Sequence, residues 1–171
     1  DNETGAGTWT DDMLARAIRE GIGHDGRVLS WRMVSQNFRY LSDEDLAAVI
    51  VYLRSIPAVY HKVEPTRFSA NEKAWLEKFS QPLTEKVAAP DSSDAVKRGG
   101  YLVRLGDCMG CHSYNGEYSP GIFGGGNNIH AFNRQAFSVN ITTDATGINY
   151  GANAFIFVIR TGKGNTLSPM M

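Results

Sequence analysis

Three things are scarce in this 171-residue sequence: long apolar runs, cysteines, and a surplus of charge of either sign. The longest strongly apolar stretch, Ala154 to Ile159, falls far short of the roughly 20 residues that span a bilayer, so no transmembrane segment is expected. Two cysteines cannot build a disulfide scaffold. Basic and acidic side chains nearly cancel, 17 against 18, which excludes a nucleic-acid binder driven by counterion release. With 42% hydrophobic and 11% aromatic residues the composition is that of a folded globular protein, not a disordered one. The sequence begins at Asp1 with neither an initiator Met nor a signal peptide, and the expectation is a processed or truncated chain.

What charge there is lies mostly in residues 1–98, which hold 13 of the basic and 15 of the acidic residues. Residues 99–171 hold 4 and 3, together with 13 of the 18 glycines. A Gly-rich, charge-poor segment suits a fold that wraps something apolar, where backbone must approach closely.

Several helices are expected. Residues 10–20 have Thr10 as N-cap, Asp11 and Asp12 at the positive end of the dipole, and Gly21 as the stop. Met13, Leu14, Ala17 and Ile18 form one apolar face. Residues 42–55 start on a capping-box-like Ser42 and Asp45, with Leu46, Val49, Ile50 and Leu53 as the inner face and Pro57 just beyond the end. Residues 57–97 read as a Pro-punctuated linker with one short helix near Asn71–Phe79. A helix is expected from about Asp94 toward the cysteines, and a last one over Ala152–Thr161. Residues 113–145 read as loops with a short extended piece at Phe137–Ile141.

The chain repeats itself. Thr4-Gly5, Ala17-Ile18-Arg19-Glu20-Gly21 and Leu29-Ser30-Trp31-Arg32-Met33 match Thr146-Gly147, Val158-Ile159-Arg160-Thr161-Gly162 and Leu167-Ser168-Pro169-Met170-Met171. The alignment sets Met33 against Met171. The first copy continues into the helix at 42–55, whereas the second is preceded by the cysteines.

Those cysteines form Cys108-Met109-Gly110-Cys111-His112, a CxxCH sequence. Thiols at i and i+3 can both add to the vinyl groups of one haem, and the adjoining His brings an imidazole to the iron. A redox disulfide has no need of the following His. A structural zinc site needs about four N or S ligands, and there is no second Cys pair. Covalent haem is the reading that uses every residue of the motif.

On these residues the sequence resembles the c-type cytochromes, in particular the multi-domain cytochrome c proteins that serve periplasmic dehydrogenases. Lys97-Arg98-Gly99-Gly100-Tyr101-Leu102 is similar to the family's N-terminal helix, and Leu46 to Leu53, with Tyr52, to its C-terminal helix. The resemblance implies that two such helices cross at close range, Gly against aromatic. Val139-Asn140-Ile141-Thr142-Thr143-Asp144 is similar to an Asn-Ile-Thr-x-Asp stretch of the dehydrogenase-linked members, and the Leu-x-x-x-Met ends to the loop that delivers the distal Met. The implied fold is all-α, helices around a covalent haem with long Gly-rich loops. Residues 1–60 then form the C-terminal part of a first domain lacking CxxCH, 61–94 a linker with a short helix, and 95–171 the haem-binding front part of a second domain. In the other arrangement the helix at 42–55 packs on the one at 95–107 and completes a single domain.

The expected cofactor is one haem c attached through Cys108 and Cys111, with His112 and Met171 on the iron. Met170 is the rival distal ligand, and Met33 an orphaned equivalent. His24, His61 and His130 are weaker candidates. Arg104, Arg134 and Arg160 could pair with propionates. Tyr114, Tyr118, Phe123, Phe132, Phe137, Tyr150, Phe155 and Phe157 could wall the porphyrin. Six strong ligands leave no open iron position, so the expected role is an electron carrier, not an enzyme. Its partners would be redox proteins (a dehydrogenase, other cytochromes or a terminal oxidase), in the periplasm or another extracytoplasmic space. A haem peroxidase or sensor with an open distal site is the alternative, and a haem-free redox disulfide a third.

Overall fold

The computed structural model describes residues 1–113, 121–131 and 134–163. The chain divides into two compact units, Asp1–Gly106 and Asp107–Met171.

In the first unit, Thr10 caps α1 (Asp11–Glu20) by accepting the Met13 N–H, and Gly21 ends it in the left-handed region. A 3₁₀ turn (Trp31–Met33) and a short α2 (Ser35–Phe38) lead to α3 (Asp43–Ser55). Ser42 caps α3 through the Asp45 N–H. The expected capping box is only half made, because the Asp45 carboxylate instead accepts from the Tyr101 hydroxyl. The short linker helix is α4 (Ala70–Glu77), opened by a full capping box between Ser69 and Glu72. α5 (Ala95–Leu105) starts on Asp94, whose carboxylate accepts from the Val96 and Lys97 N–H groups.

Leu14, Leu41, Leu46 and Ile50 form the core of this unit, with Trp9, Ile18, Tyr101 and Leu105 packed against it. α5 therefore meets α3 and α1 within one unit, through its aromatic side. The close Gly-to-aromatic crossing is not made: a methyl group added at Gly99 or Gly100 would touch nothing, and Tyr52 is exposed. Tyr101 reaches the start of α3 rather than its middle. For the same reason only Leu46 and Ile50 of the expected inner face are buried, while Val49 and Leu53 stay open. The Arg19 guanidinium, buried at the end of α1, donates to the Leu41 carbonyl and pairs with Asp43 at 2.7 Å. The linker packs back onto these elements, with the Leu83 N–H on Glu20 and the Asp43 N–H on the Val87 carbonyl.

The second unit opens with α6 (Cys108–His112). A hairpin follows, β1 (Asn128–Ala131) antiparallel to β2 (Arg134–Phe137), with Asn128 opposite Phe137 and Ile129 opposite Ala136. The all-α expectation is thus corrected by one small sheet in the Gly-rich segment. The extended piece lies earlier than expected, because β2 ends at Phe137 and residues 138–141 form a loop. That loop is built by short polar side chains. Asn140 Oδ1 accepts from the Thr142 N–H and hydroxyl, and Asp144 does the same for Thr146. α7 (Ala152–Thr161) ends at Gly162 with φ +63°, matching Gly21 at φ +66°. The two copies of the repeat thus share a ten-residue helix and its left-handed stop. Among the described residues no helix is long and apolar enough to cross a membrane.

Candidate functional site

Cys108, Cys111 and His112 all lie on α6. A helical turn places positions i and i+3 on one side, so both sulfurs, neither in a disulfide, serve one face of this short helix. Asp107, in the left-handed conformation at φ +52°, separates α6 from the preceding helix. Burial, helped by the neighbouring Asp107 carboxylate and Cys111, pushes the Cys108 thiol above its ordinary range. A dithiol redox centre works through a lowered thiol pKa, so this environment runs the other way.

His112 is buried, at 9% exposure. Its Nδ1 lies 2.8 Å from the Val139 carbonyl oxygen. A carbonyl can only accept, so Nδ1 carries the hydrogen, and in the neutral ring the lone pair is then on Nε2. Such a bond fixes tautomer and ring orientation in metal-ligating histidines and raises the basicity of the ligand.

The loop around α6 holds that carbonyl in place. The Gly125 N–H donates to the His112 carbonyl at 2.7 Å, and the Phe123 N–H to the Ser113 hydroxyl at 2.9 Å. Gly125 has φ +73°, and a Cβ there would sit 2.5 Å from the Val139 carbonyl carbon. Only glycine lets the two backbones approach this closely. The Asn127 amide donates to the carbonyls of Cys111 (2.8 Å), Ser113 (3.1 Å) and Gly110 (3.2 Å).

The second unit buries few of its own apolar groups. Val158 is its one buried apolar residue among those described, while Phe137, Phe157 and Ile159 are each more than half exposed. Two free thiols, an imidazole with Nε2 available and open apolar side chains fit a covalently attached, largely apolar macrocycle. They do not fit a protein-only metal site, because no group of three His, Cys, Asp or Glu suited to a metal ion occurs among the described residues.

The remaining candidates fare differently. Met170, Met171, Tyr114, Tyr118 and Phe132 lie outside the described residues. Met33 ends the 3₁₀ turn of the first unit and is partly exposed. His24 packs against the Trp9 ring, with centroids 4.7 Å apart. His61 is exposed in the linker, and His130 belongs to β1. Arg104, on α5, lies over the Tyr40 ring, 5.0 Å from its centroid. Arg160 is exposed near the end of α7, and Arg134 belongs to β2. Asn127, Gly125 and the Val139 carbonyl were missed from sequence. A carbonyl has no residue signature, and Asn127 lies in a Gly-Asn run that reads as a plain turn.

No family model matches the chain. It is 38% identical over 120 residues to a nicotinate dehydrogenase subunit of Pseudomonas putida, covering 66% of this chain and 10% of that protein. It is 41% identical over 91 residues to the gluconate 2-dehydrogenase cytochrome c subunit of Pantoea cypripedii, covering 50% and 20%. To the cytochrome c subunit of the quinone alcohol dehydrogenase of Gluconobacter oxydans it is 30% identical over 132 residues, covering 68% and 26%. The chain thus spans between a tenth and about a quarter of the length of these curated relatives. Two of the three relatives are named as cytochrome c subunits of dehydrogenases, and it is to proteins so named that this chain is similar.

Proposed function

We propose that this chain is part of an electron-transferring c-type cytochrome that serves a dehydrogenase. One haem c is held through thioethers of Cys108 and Cys111, with His112 Nε2 on the iron. The observation that carries this reading is the bond from His112 Nδ1 to the Val139 carbonyl, beside two free thiols on the same turn. The bound haem supplies a one-electron Fe(III)/Fe(II) couple. The chain's own residues do the rest. The thiols would tether the macrocycle, the buried imidazole would bind the iron through Nε2, and the apolar side chains of α7 and the hairpin would exclude water.

Met171 is the proposed sixth ligand, on the strength of its match to Met33 in the repeat, with Met170 as the rival. A thioether is neutral and polarizable, and opposite His it raises the potential, as suits a carrier. Residues 1–60, 61–94 and 95–171 are proposed, in order along the sequence, as the end of one cytochrome c domain, a linker and the front of the next, while the packing of α5 on the Leu14–Leu46–Ile50 core supports the other arrangement, in which the helix at 42–55 completes a domain with the one at 95–107. The relatives' names support a dehydrogenase as electron donor; other cytochromes or a terminal oxidase as acceptor, and an extracytoplasmic, periplasmic setting, are proposed with the covalent haem. The named dehydrogenases differ in substrate, so no substrate is assigned.

Denatured-protein mass after expression with haem-attachment machinery tests the reading. The expected result is one haem increment, abolished by replacing Cys108 and Cys111 with Ala; an unmodified wild-type mass overturns it. Carbon monoxide added to the reduced protein tests the distal side. Met171→Ala should bind it and wild type and Met170→Ala should not. Ready binding by wild type favours the peroxidase or sensor reading instead.

A further inference from the structure

The segment that surrounds α6 closes on it through a ring of hydrogen bonds with Asn127 at its centre. The last carbonyls of a helix have no partner within it, and in a helix of five residues that is nearly all of them. The Asn127 amide takes three, those of Gly110, Cys111 and Ser113, with only two hydrogens to share. Its backbone meanwhile exchanges a pair of bonds with Ser138. The Asn127 N–H donates to the Ser138 hydroxyl at 3.0 Å, and the Ser138 N–H to the Asn127 carbonyl at 2.9 Å. Ser138 is joined to Val139, whose carbonyl takes the His112 Nδ1 hydrogen at 2.8 Å. The path therefore runs from His112 through the helix end to Asn127, then Ser138, Val139 and back to His112.

We propose that Asn127 is a positioning residue for the axial histidine: it sets the plane of the His112 imidazole, and through it the electronic state of the bound haem. The proposal rests on the haem reading given above. The carbonyls on either side of His112 and its Nδ1 are held by the same three residues, Asn127, Ser138 and Val139, which ties the helix end to the partner of the imidazole. Without the Asn127 amide the helix end moves relative to Val139, and the Nδ1 bond bends or lengthens. A less strongly hydrogen-bonded imidazole is a weaker donor, which favours ferrous over ferric iron.

The test is made on the holoprotein with Asn127→Leu, which keeps the size and removes the donors. Haem should remain attached by mass. The ferric electron paramagnetic resonance g-values, which follow the imidazole plane, should shift. The redox equilibrium should move toward the ferrous form by about tenfold, or 59 mV for one electron. A merely structural amide would change stability and leave both signals alone. Attached haem with wild-type g-values and potential overturns the proposal and leaves the haem reading standing. If Asn127→Leu yields no holoprotein, Ser138→Ala weakens the same ring, removing the hydroxyl bond of the Asn127–Ser138 pair while the backbone bond stays. It should shift both signals in the same direction, and wild-type signals in that variant also overturn the proposal. Wild-type protein without attached haem overturns the haem reading and this proposal together.

Discussion

The Tyr101 hydroxyl donates to the carboxylate of Asp45 and at the same time accepts the Ser42 N–H at 3.0 Å. A side chain from α5 thereby completes the cap of α3, fifty-six residues away in the chain. Ser42 is fully buried, so its N–H has no water to turn to. Tyr101→Phe keeps the ring in the core and removes both bonds. Stability should fall by about 1–3 kcal/mol, the range for a buried donor left without a partner. Chemical denaturation of the two proteins would measure it, and superimposed curves would refute the capping role.

Leu46 and Leu53 look alike in the helical pattern of α3, but only Leu46 is buried, while Leu53 is 39% exposed. Leu46→Ala should cost ~2–5 kcal/mol as a core truncation. Leu53→Ala should cost roughly 1 kcal/mol or less, as a surface change. Equal losses in denaturant midpoint would mean that the open side of α3 is covered in solution.

The Arg19 guanidinium holds the Asp43 carboxyl below its ordinary value of 3.8, chiefly by a direct hydrogen bond. A depressed folded-state pKa contributes stability that is complete above 3.8 and is lost as pH falls through the folded value. Asp43→Asn should therefore be less stable than wild type at neutral pH, with the gap narrowing below 3.8. Denaturation midpoints across acid pH would show this. A gap that stayed constant would assign the loss to packing rather than to charge.

Gly125→Ala forces a non-glycine residue to φ +73° and a methyl group onto Val139. Backbone strain of this kind costs on the order of 1–3 kcal/mol. Because the displaced group is the peptide that holds His112, the yield of haem-bearing protein should fall along with the melting temperature. A lower melting temperature with unchanged haem yield would separate the turn from the site.

Helices α1, α3, α4, α5 and α7 were legible because their ends are written in local chemistry, whereas the short α2 and α6 were not. Thr10, Ser42, Ser69 and Asp94 each accept backbone N–H groups as cap residues do, and Gly21 and Gly162 stop two helices of equal length. The CxxCH sequence was legible because its reading rests on residue type and spacing alone. The hairpin was not, since β1 alternates over only four residues, β2 carries no alternation, and both sit among glycines and asparagines. Nor was the burial of α3. Periodicity marks an apolar stripe of four residues, but which two face the core depends on where Tyr101 and Leu14 arrive from distant sequence. The clamp on His112 is made mainly of backbone carbonyls and amides, which every residue has.

All three tryptophans, Trp9, Trp31 and Trp75, fall in the first unit, and Trp9 packs against its core cluster. The two cysteines of the CxxCH sequence fall in the second. Indole absorption at the red edge of the near-ultraviolet therefore reports the first unit, and the visible absorption of an attached haem would report the second. One denaturation series, read at two wavelengths, gives the order in which the two halves of the molecule come apart.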